Sequence, residues 1–257
     1  MAAPESRRNL HAPRDSVVDR VVSALTIAGS DSGGGAGIQT DLKTFAAHGV
    51  HGLSAIAALT AQHTRGVEAV HVPDVGFLRV QIDACFDDFD IRAVKLGMLA
   101  TGPIIHAVAD ALERWTPAAL VVDPVMVATS GAKLLADDAL DALRTRLLPM
   151  ATVLTPNLPE AELLLGRTIA PGADADGALS ELLDLGPQAV LLKGGHLDEV
   201  DVIDRFGSGV LRASFRSTRL PVEGHGTGCT LASAIAANLA LRETPQQACR
   251  LGTGFIA

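Results

Sequence analysis

The sequence is poor in aromatic side chains, which make up 3% of its 257 residues and include no tyrosine. Proteins that bind single-stranded nucleic acid stack bases on such rings, so this class of binder is disfavoured. The formal net charge is −8, which argues against a broad electrostatic surface for DNA, RNA or an anionic membrane. An anionic substrate must therefore be held by local groups.

Cysteine is scarce as well, with Cys85, Cys229 and Cys249 scattered along the chain. Their odd number and wide spacing fit neither a disulfide framework nor a zinc site, so we expect a reducing, cytoplasmic location. No uncharged apolar run reaches about 18 residues, the length typical of a membrane-spanning helix. Residues 1–20 contain no apolar stretch of signal-peptide length, and we interpret them as a disordered arm before a single domain at 21–257.

What the sequence does contain is a regular alternation of short apolar runs and longer amphipathic stretches. This alternation predicts an α/β fold, with a mainly parallel sheet covered by helices on both faces. The predicted strands are Val21–Ala28, Val50–Leu59, Ile91–Leu96, Ala118–Val122, Thr152–Leu154 and Ala189–Leu192. The predicted helices are Ile38–Ala47, Val75–Phe86, Ile104–Trp115, Ala139–Leu148 and Ala178–Leu185.

The pattern changes near the end of the chain. Two β-like runs, Val200–Phe206 and Val210–Phe215, flank a Gly-Ser-Gly turn and predict an antiparallel hairpin at one edge of the sheet. We expect an Ala-rich helix through Leu241 after it, and a further helix that starts at Pro245.

A glycine-rich segment, Ala28–Gly37, follows the first predicted strand and opens a helix. Glycines allow a ligand to approach the backbone closely, and a helix start offers free N–H groups to an anion. A dinucleotide-binding loop looks similar, but Val50–Thr60 contains no acidic residue to hold a ribose. A P-loop is excluded because no glycine precedes Lys-Ser or Lys-Thr, and a merely tight turn remains the alternative.

A second glycine-rich segment, Gly224–Thr230, also precedes a helix and places Cys229 in its first turn. We expect the helix dipole to lower the pKa of this thiol, which would make it a general base or a nucleophile. The alternative is a small buried residue on an Ala-rich helix.

Polar residues follow three of the later strands. Asn157 can cap a helix together with Glu160, and the pair could also hold Mg²⁺ through water. Lys193 suits a phosphate group, with a solvated turn residue as the alternative. Asp123 is either a carboxylate on the metal side or a turn residue.

The segment Leu25–Thr44 closely resembles the start of the bacterial hydroxymethylpyrimidine/phosphomethylpyrimidine kinases, a vitamin-kinase branch of the ribokinase-like superfamily. Further segments agree in order, namely Thr60–Thr64, Lys95–Leu99, Thr155–Ala161, and Lys193–His196 followed by Gly226–Cys229. The resemblance implies a ribokinase-like three-layer sandwich that uses ATP and Mg²⁺. It implies phosphoryl transfer to the hydroxymethyl group of an aminopyrimidine, then to the resulting monophosphate, and a homodimer.

The resemblance also implies roles for individual residues. The substrate-binding set is Gln62, Asp41, Met98, Val125 and the backbone of Gly35 and Gly37. The catalytic set is Cys229 as the base, with the amides of Gly226 and Gly228 stabilising the transferring phosphoryl group. The ATP-side set is Lys193, Thr227, Asn157 and Asp123, and Glu160 and Asn157 order the Mg²⁺ shell through water.

Three alternatives stay open. Many related vitamin kinases carry Asp where this chain has Cys229, so a pyridoxal-type substrate is the first alternative. The sequence stops at Ala257, inside a helix that is longer in the family, so we expect a truncated chain; a non-catalytic pyrimidine-binding protein is the second alternative. A nicotinamide-dependent dehydrogenase rests on the first glycine-rich segment alone.

Overall fold

The computed structural model describes residues 21–126, 136, 138–170, 173–195, 201–219 and 225–257. The strands in this part of the chain are β1 (Ser23–Asp31), β2 (His51–His63), β3 (Gly66–His71), β4 (Ile91–Leu96), β5 (Ala119–Val122), β6 (Val153–Leu154), β7 (Val190–Leu192), β8 (Asp201–Ser208) and β9 (Leu211–Thr218). The helices are α1 (Gly37–Ala47), α2 (Val75–Asp88), α3 (Gly102–Trp115), α4 (Ala139–Ala142), α5 (Leu158–Leu165), α6 (Ala173–Asp184), α7 (Thr227–Ala240) and α8 (Pro245–Ile256).

The strands form a nine-stranded sheet in the order β3-β2-β1-β4-β5-β6-β7-β8-β9. Strands β2, β1, β4, β5, β6 and β7 run parallel to one another, whereas β3, β8 and β9 pair antiparallel. The strand order reverses between β1 and β4, and ligands of open α/β sheets bind beyond the carboxyl ends of strands at such a point. The first glycine-rich segment leaves β1 at this position.

Helices cover both faces of the sheet, which confirms the predicted three-layer α/β sandwich. One apolar core lies under α2, α3, α4, α5 and α6 and contains the fully buried Leu25 and Ile27 of β1. The other lies under α1, α7 and α8 and contains Ala24 and Phe45. Side chains of β1 thus alternate between two cores, as expected for a strand buried on both faces.

The structure shifts the bounds of some predicted elements, since β2 continues to His63 and α6 begins at Ala173, and it changes two elements outright. The antiparallel hairpin β8–β9 is confirmed, but β3 adds a second antiparallel edge that was not predicted, because its apolar residues do not alternate regularly with polar ones. The helix predicted at Ala139–Leu148 is divided into α4, a π-helical turn at Leu143–Leu147 and a 3₁₀ turn at Leu148–Met150. Pro149 in the last turn has no N–H to continue an α-helix.

The predicted arm at residues 1–20 lies outside the described residues. Within the described part of the chain, every helix is too short or too polar to span a bilayer.

Candidate active site

Two glycine-rich turns lie back to back where α1 and α7 begin. Gly226 adopts a left-handed conformation with φ of +84°, and a Cβ at this position would overlap the carbonyl oxygen of Gly35. Gly37, with φ of +58°, lies against the carbonyl oxygen of Gly29 in the same way. Only glycine permits such close backbone packing. Gly37 and the exposed Thr227 are the first residues of these two neighbouring helices.

Asp31 organises the first of these turns. Its Oδ1 accepts a hydrogen bond from Gly33 N at 2.8 Å, and its Oδ2 accepts bonds from Gly35 N at 3.1 Å and Ala36 N at 2.9 Å. The Nε2 atom of His225, from the second turn, lies 3.4 Å from Asp31 Oδ2. The sequence analysis gave Asp31 no role, although an Asp shortly before glycines is typical of a turn that the side chain caps.

Gln62 lies at the end of β2, beside both turns. Thr60 Oγ1 donates to Gln62 Oε1 at 3.1 Å, and Gln62 Nε2 lies 3.0 Å from His225 Nε2. Ser32 accepts the backbone N–H of Gln62 and donates to its carbonyl oxygen, both at 2.8 Å. Both the oxygen and the nitrogen of the Gln62 side-chain amide therefore have a partner, and the backbone of Gln62 is fixed as well. His225 is a further site residue that the sequence analysis did not single out.

Met98 and Val125 come together in a small apolar cluster with Ala58 and Ala100. The Met98 methyl group lies 2.7 Å from where a Cβ on Gly29 would be placed. Two predicted lining residues thus come together, and Met98 lies beside the first glycine-rich turn.

Asp41 is fully buried inside a polar network. Lys95 Nζ lies 2.9 Å from Oδ1 and 3.0 Å from Oδ2 of Asp41. Ser233 donates to Oδ1 at 2.7 Å and Thr26 donates to Oδ2 at 2.6 Å. Both carboxylate oxygens therefore accept from protein groups, and a direct contact of Asp41 with a pyrimidine stays a prediction.

Cys229 is the third residue of α7. Burial raises the pKa of its thiol to about 11, while the charge of Lys95 and the backbone N–H of Gly37 act to lower it. Asp41 and Asp123 add to the increase. The sequence analysis expected a lowered pKa, whereas the pKa is raised, because removal of the thiolate from water raises it more than Lys95 and the Gly37 N–H lower it.

A second charged group lies on the other side of the α7 start. Lys193 Nζ is 3.0 Å from Asp123 Oδ1 and 3.8 Å from Glu160 Oε2. Thr155 Oγ1 also donates to Asp123 Oδ1, at 3.1 Å. A Cβ on Gly228 would be 3.3 Å from Lys193 Nζ, so this glycine leaves the ammonium room beside the helix start.

Asn157 and Glu160 form the predicted helix cap at the start of α5. Glu160 N donates to Asn157 Oδ1 at 2.9 Å, and Asn157 N donates to Glu160 Oε2 at 2.8 Å. Burial raises the pKa of Glu160 to about 7, although the charge of Lys193 opposes the increase. The charge of this carboxyl therefore changes near neutral pH.

The side of the site that contains Lys193, Asn157 and Glu160 offers a small number of oxygen ligands of the kind that Mg²⁺ prefers. In the described ranges, no three His, Cys, Asp or Glu side chains are grouped to hold a metal ion. One oxygen of each capping residue already accepts a backbone N–H. A Mg²⁺ ion would therefore depend on water and on a ligand's phosphates to complete its shell.

Comparisons with known proteins agree with this architecture. The model of the family described as phosphomethylpyrimidine kinase matches residues 31–257. A hydroxymethylpyrimidine/phosphomethylpyrimidine kinase of Rhizobium meliloti is 53% identical over 220 residues, which cover 84% of this chain and 82% of the relative.

Solved structures agree as well. The phosphomethylpyrimidine kinase of Clostridium difficile superposes with a TM-score of 0.82 at 43% identity, covering 91% of this chain and 97% of the other. An ADP complex of Bacillus subtilis pyridoxal kinase superposes with a TM-score of 0.84 at 35% identity, covering 91% and 89%. Since the family match and the 53% identity each extend over more than four fifths of the sequence, the chain belongs to the phosphomethylpyrimidine kinase family.

Proposed function

We propose that the chain is a kinase of thiamine biosynthesis that phosphorylates 4-amino-5-hydroxymethyl-2-methylpyrimidine, and then its monophosphate, with ATP as the donor. The observation that carries this proposal is the position of Cys229. The start of α7, which carries Cys229, lies between two different sets of groups. The Gln62 amide and the apolar Met98 are on one side, and the Lys193 ammonium is on the other. Such a site can receive a small ring on one side and phosphates on the other. Residues 21–257 act as one kinase domain, in line with the single sheet from β1 to β9.

Gln62 recognises the aminopyrimidine. Its amide offers an acceptor and a donor, which match an exocyclic amino group and the neighbouring ring nitrogen. Met98 and Val125 contact the ring, and the backbone of Gly35 and Gly37 closes the pocket beside it.

Cys229 removes the proton from the attacking hydroxyl group. In its thiolate form it accepts this proton as the substrate oxygen bonds to the γ-phosphorus of ATP, and the bond from phosphorus to the bridging oxygen breaks to release ADP. The N–H groups of Gly226 and Gly228 stabilise the negative charge on the transferring group. Because the thiol pKa is about 11, the thiolate fraction is small at pH 7 and the rate should increase with pH above neutrality.

ATP lies on the side of Lys193. The ammonium neutralises the phosphates, and Thr227 and Asp123 border them. Asn157 and Glu160 would hold a Mg²⁺ ion through water. When bound, this ion would supply further positive charge to the phosphates.

The proposal includes a homodimer in a cytoplasmic location. Strand β3 is at the edge of the sheet, and Val70 and Leu59 expose large apolar side chains there. An unpaired strand edge of this kind is suited to contact with a second copy. ATP as the donor and an unpaired thiol at the site fit a reducing compartment.

ADP release from MgATP with hydroxymethylpyrimidine as acceptor tests the proposed function. Turnover should fall by roughly 10²–10⁴-fold in Cys229→Ala and stay unchanged in Cys85→Ala, whose thiol lies on α2. Turnover of pyridoxal without turnover of the pyrimidine would assign the chain to the pyridoxal-type kinases, which the likeness to the Bacillus subtilis enzyme makes the second candidate. Calorimetric binding of the pyrimidine without binding of MgATP would indicate a non-catalytic binding protein.

A further inference from the structure

The buried network around Asp41 joins the central sheet to both helices that begin at the glycine-rich turns. Thr26 belongs to β1, Lys95 to β4, Asp41 to α1 and Ser233 to α7, and all four residues have no exposed surface. An ion pair in such a place is a poor source of stability, because removing both charges from water offsets their attraction. Its position relative to the site is therefore more informative than its contribution to folding.

The helical members of the network lie in the second turns of their helices. Asp41 follows Gly37, the first residue of α1, by four positions, and Ser233 follows Cys229 by four positions. Residues four apart lie on the same face of a helix. The hydrogen bond from Ser233 to Asp41, at 2.7 Å, therefore ties the second turns of the two helices together directly beneath the Gly37 N–H and the Cys229 thiol.

Charged groups approach the thiol from four elements. Asp41 on α1 and Lys95 on β4 belong to the network, Asp123 follows β5, and Lys193 follows β7. Lys95 is the cation that acts most strongly to lower the pKa of the thiol, and the larger effect of burial opposes it. Because Lys95 holds both oxygens of Asp41, its own position is fixed.

We propose that Lys95 is a positioning residue of the phosphoryl transfer, a role that rests on the function proposed above. Its ion pair with Asp41 aligns the first turns of α1 and α7 and keeps a positive charge behind the thiol of Cys229. The Lys95 side chain is fully buried and acts without contacting the substrate. The pair acts on the reaction through the base and through the backbone N–H groups of the two helix starts.

The test compares wild type with Lys95→Met and with Lys95→Met/Asp41→Asn, which removes the pair without leaving a buried charge unmatched. Turnover of the pyrimidine with MgATP is measured between about pH 6 and pH 10, and alkylation of Cys229 by iodoacetamide is followed by peptide mass spectrometry, which separates it from Cys85 and Cys249. For Lys95→Met we expect kcat to fall by roughly tenfold or more with little change in the KM for the pyrimidine. We expect alkylation of this variant at a fixed pH near 9 to slow by about tenfold, which corresponds to one unit of thiol pKa. The double variant should slow less, because Asp41 acts on the thiol pKa in the opposite direction to Lys95.

The direction of the alkylation change separates this role from a merely structural one, because a loosened site would expose the thiol and speed alkylation. Asn238→Leu is the matched control, since it removes another buried polar group of α7 further along the helix and should leave both readouts unchanged. A folded Lys95→Met variant with kcat within about twofold of wild type, or with faster alkylation, would overturn the proposal. Ser233→Ala, which removes only the link to α7, gives the same readouts with smaller losses if neither Lys95 variant folds.

A wild-type protein that does not phosphorylate the pyrimidine would overturn the proposed function alone. The alkylation rates do not depend on turnover and still decide whether Lys95 places its charge behind the thiol.

Discussion

The two buried lysines on either side of the α7 start carry the same charge in different surroundings. The Lys95 side chain has 0% of its surface exposed and lies between both oxygens of Asp41, whereas Lys193 keeps 13% exposed and lies between Asp123 and Glu160. Burial acts to lower the pKa of both, but the neighbouring carboxylates outweigh it and keep the pKa of both above the usual lysine range. Both are therefore ammonium ions, of which only Lys193 can be reached by a ligand.

The largest expected effect concerns the stability contribution of the sealed pair. Lys95→Met leaves Asp41 as an unmatched buried carboxylate, so the free energy of unfolding should fall by about 3–5 kcal/mol. Urea unfolding measures this, and the double variant with Asp41→Asn should recover a large part of the loss. Equal losses in the single and double variants would contradict a matched ion pair.

The corresponding change at Lys193 should act on nucleotide use more than on stability. We expect Lys193→Met to lower kcat/KM for ATP by roughly 10²–10³-fold, because a preorganised cation is lost from the phosphates. ADP should also protect the variant less against thermal unfolding than it protects wild type. If Lys193→Met destabilised the protein as much as Lys95→Met and left kcat/KM unchanged, the distinction between a sealed and a reachable lysine would be wrong.

Glu160 sharpens the comparison through pH, because its own charge changes near neutrality. Its folded pKa of about 7 lies above the ordinary value of 4.5, so the folded state binds the proton more tightly than the unfolded state. Stability should therefore decrease as pH increases from about 4.5 to about 7, by roughly 1–3 kcal/mol, and then level off. Urea unfolding of wild type and Glu160→Gln without added metal measures this, and an equal slope in both would contradict the assignment.

The smallest effect is expected at the helix cap. Asn157→Ala should lower the free energy of unfolding by about 1 kcal/mol, since Glu160 N loses its acceptor. Asp74→Ala is the matched control, because Asp74 caps α2 in the same way and lies far along the chain from the nucleotide side. If Asn157 also orders the Mg²⁺ shell, only Asn157→Ala should raise the Mg²⁺ concentration needed for half-maximal turnover; equal Mg²⁺ dependence in both variants would leave Asn157 as a cap alone.

The sequence was sufficient for the fold class and for the positions of the two glycine-rich turns, because apolar periodicity and glycine clusters are local signals. The cap of Asn157 and Glu160 was also predictable, since both residues lie within one helical turn. Strand β3 was not, because its few apolar residues do not alternate regularly with polar ones.

Features that depend on distant residues could not be derived from the sequence in this way. Lys95 pairs with a residue 54 positions away, and nothing in its neighbouring apolar residues indicates a buried charge. The pKa of Cys229 depends on how far residues distant in the sequence remove its thiol from water. The position of Cys229 at a helix start, taken alone, therefore gave the wrong direction for the pKa shift. His225 reaches Gln62 across 163 positions, which no local pattern predicts.

The hydrogen bond between Gln62 and His225 has a consequence for selectivity. If Gln62 recognises the pyrimidine, binding is an exchange of partners in which the ring must displace an imidazole that already satisfies the amide. Such an internal competitor typically reduces affinity by about 0.5–1.5 kcal/mol, or roughly 2–12-fold. A ring with both an amino group and an adjacent nitrogen replaces the hydrogen bond that Gln62 loses, and so recovers this cost. A ring with neither group cannot replace it, and Gln62 then stays paired with His225. The imidazole of His225 therefore selects against poorly matched rings.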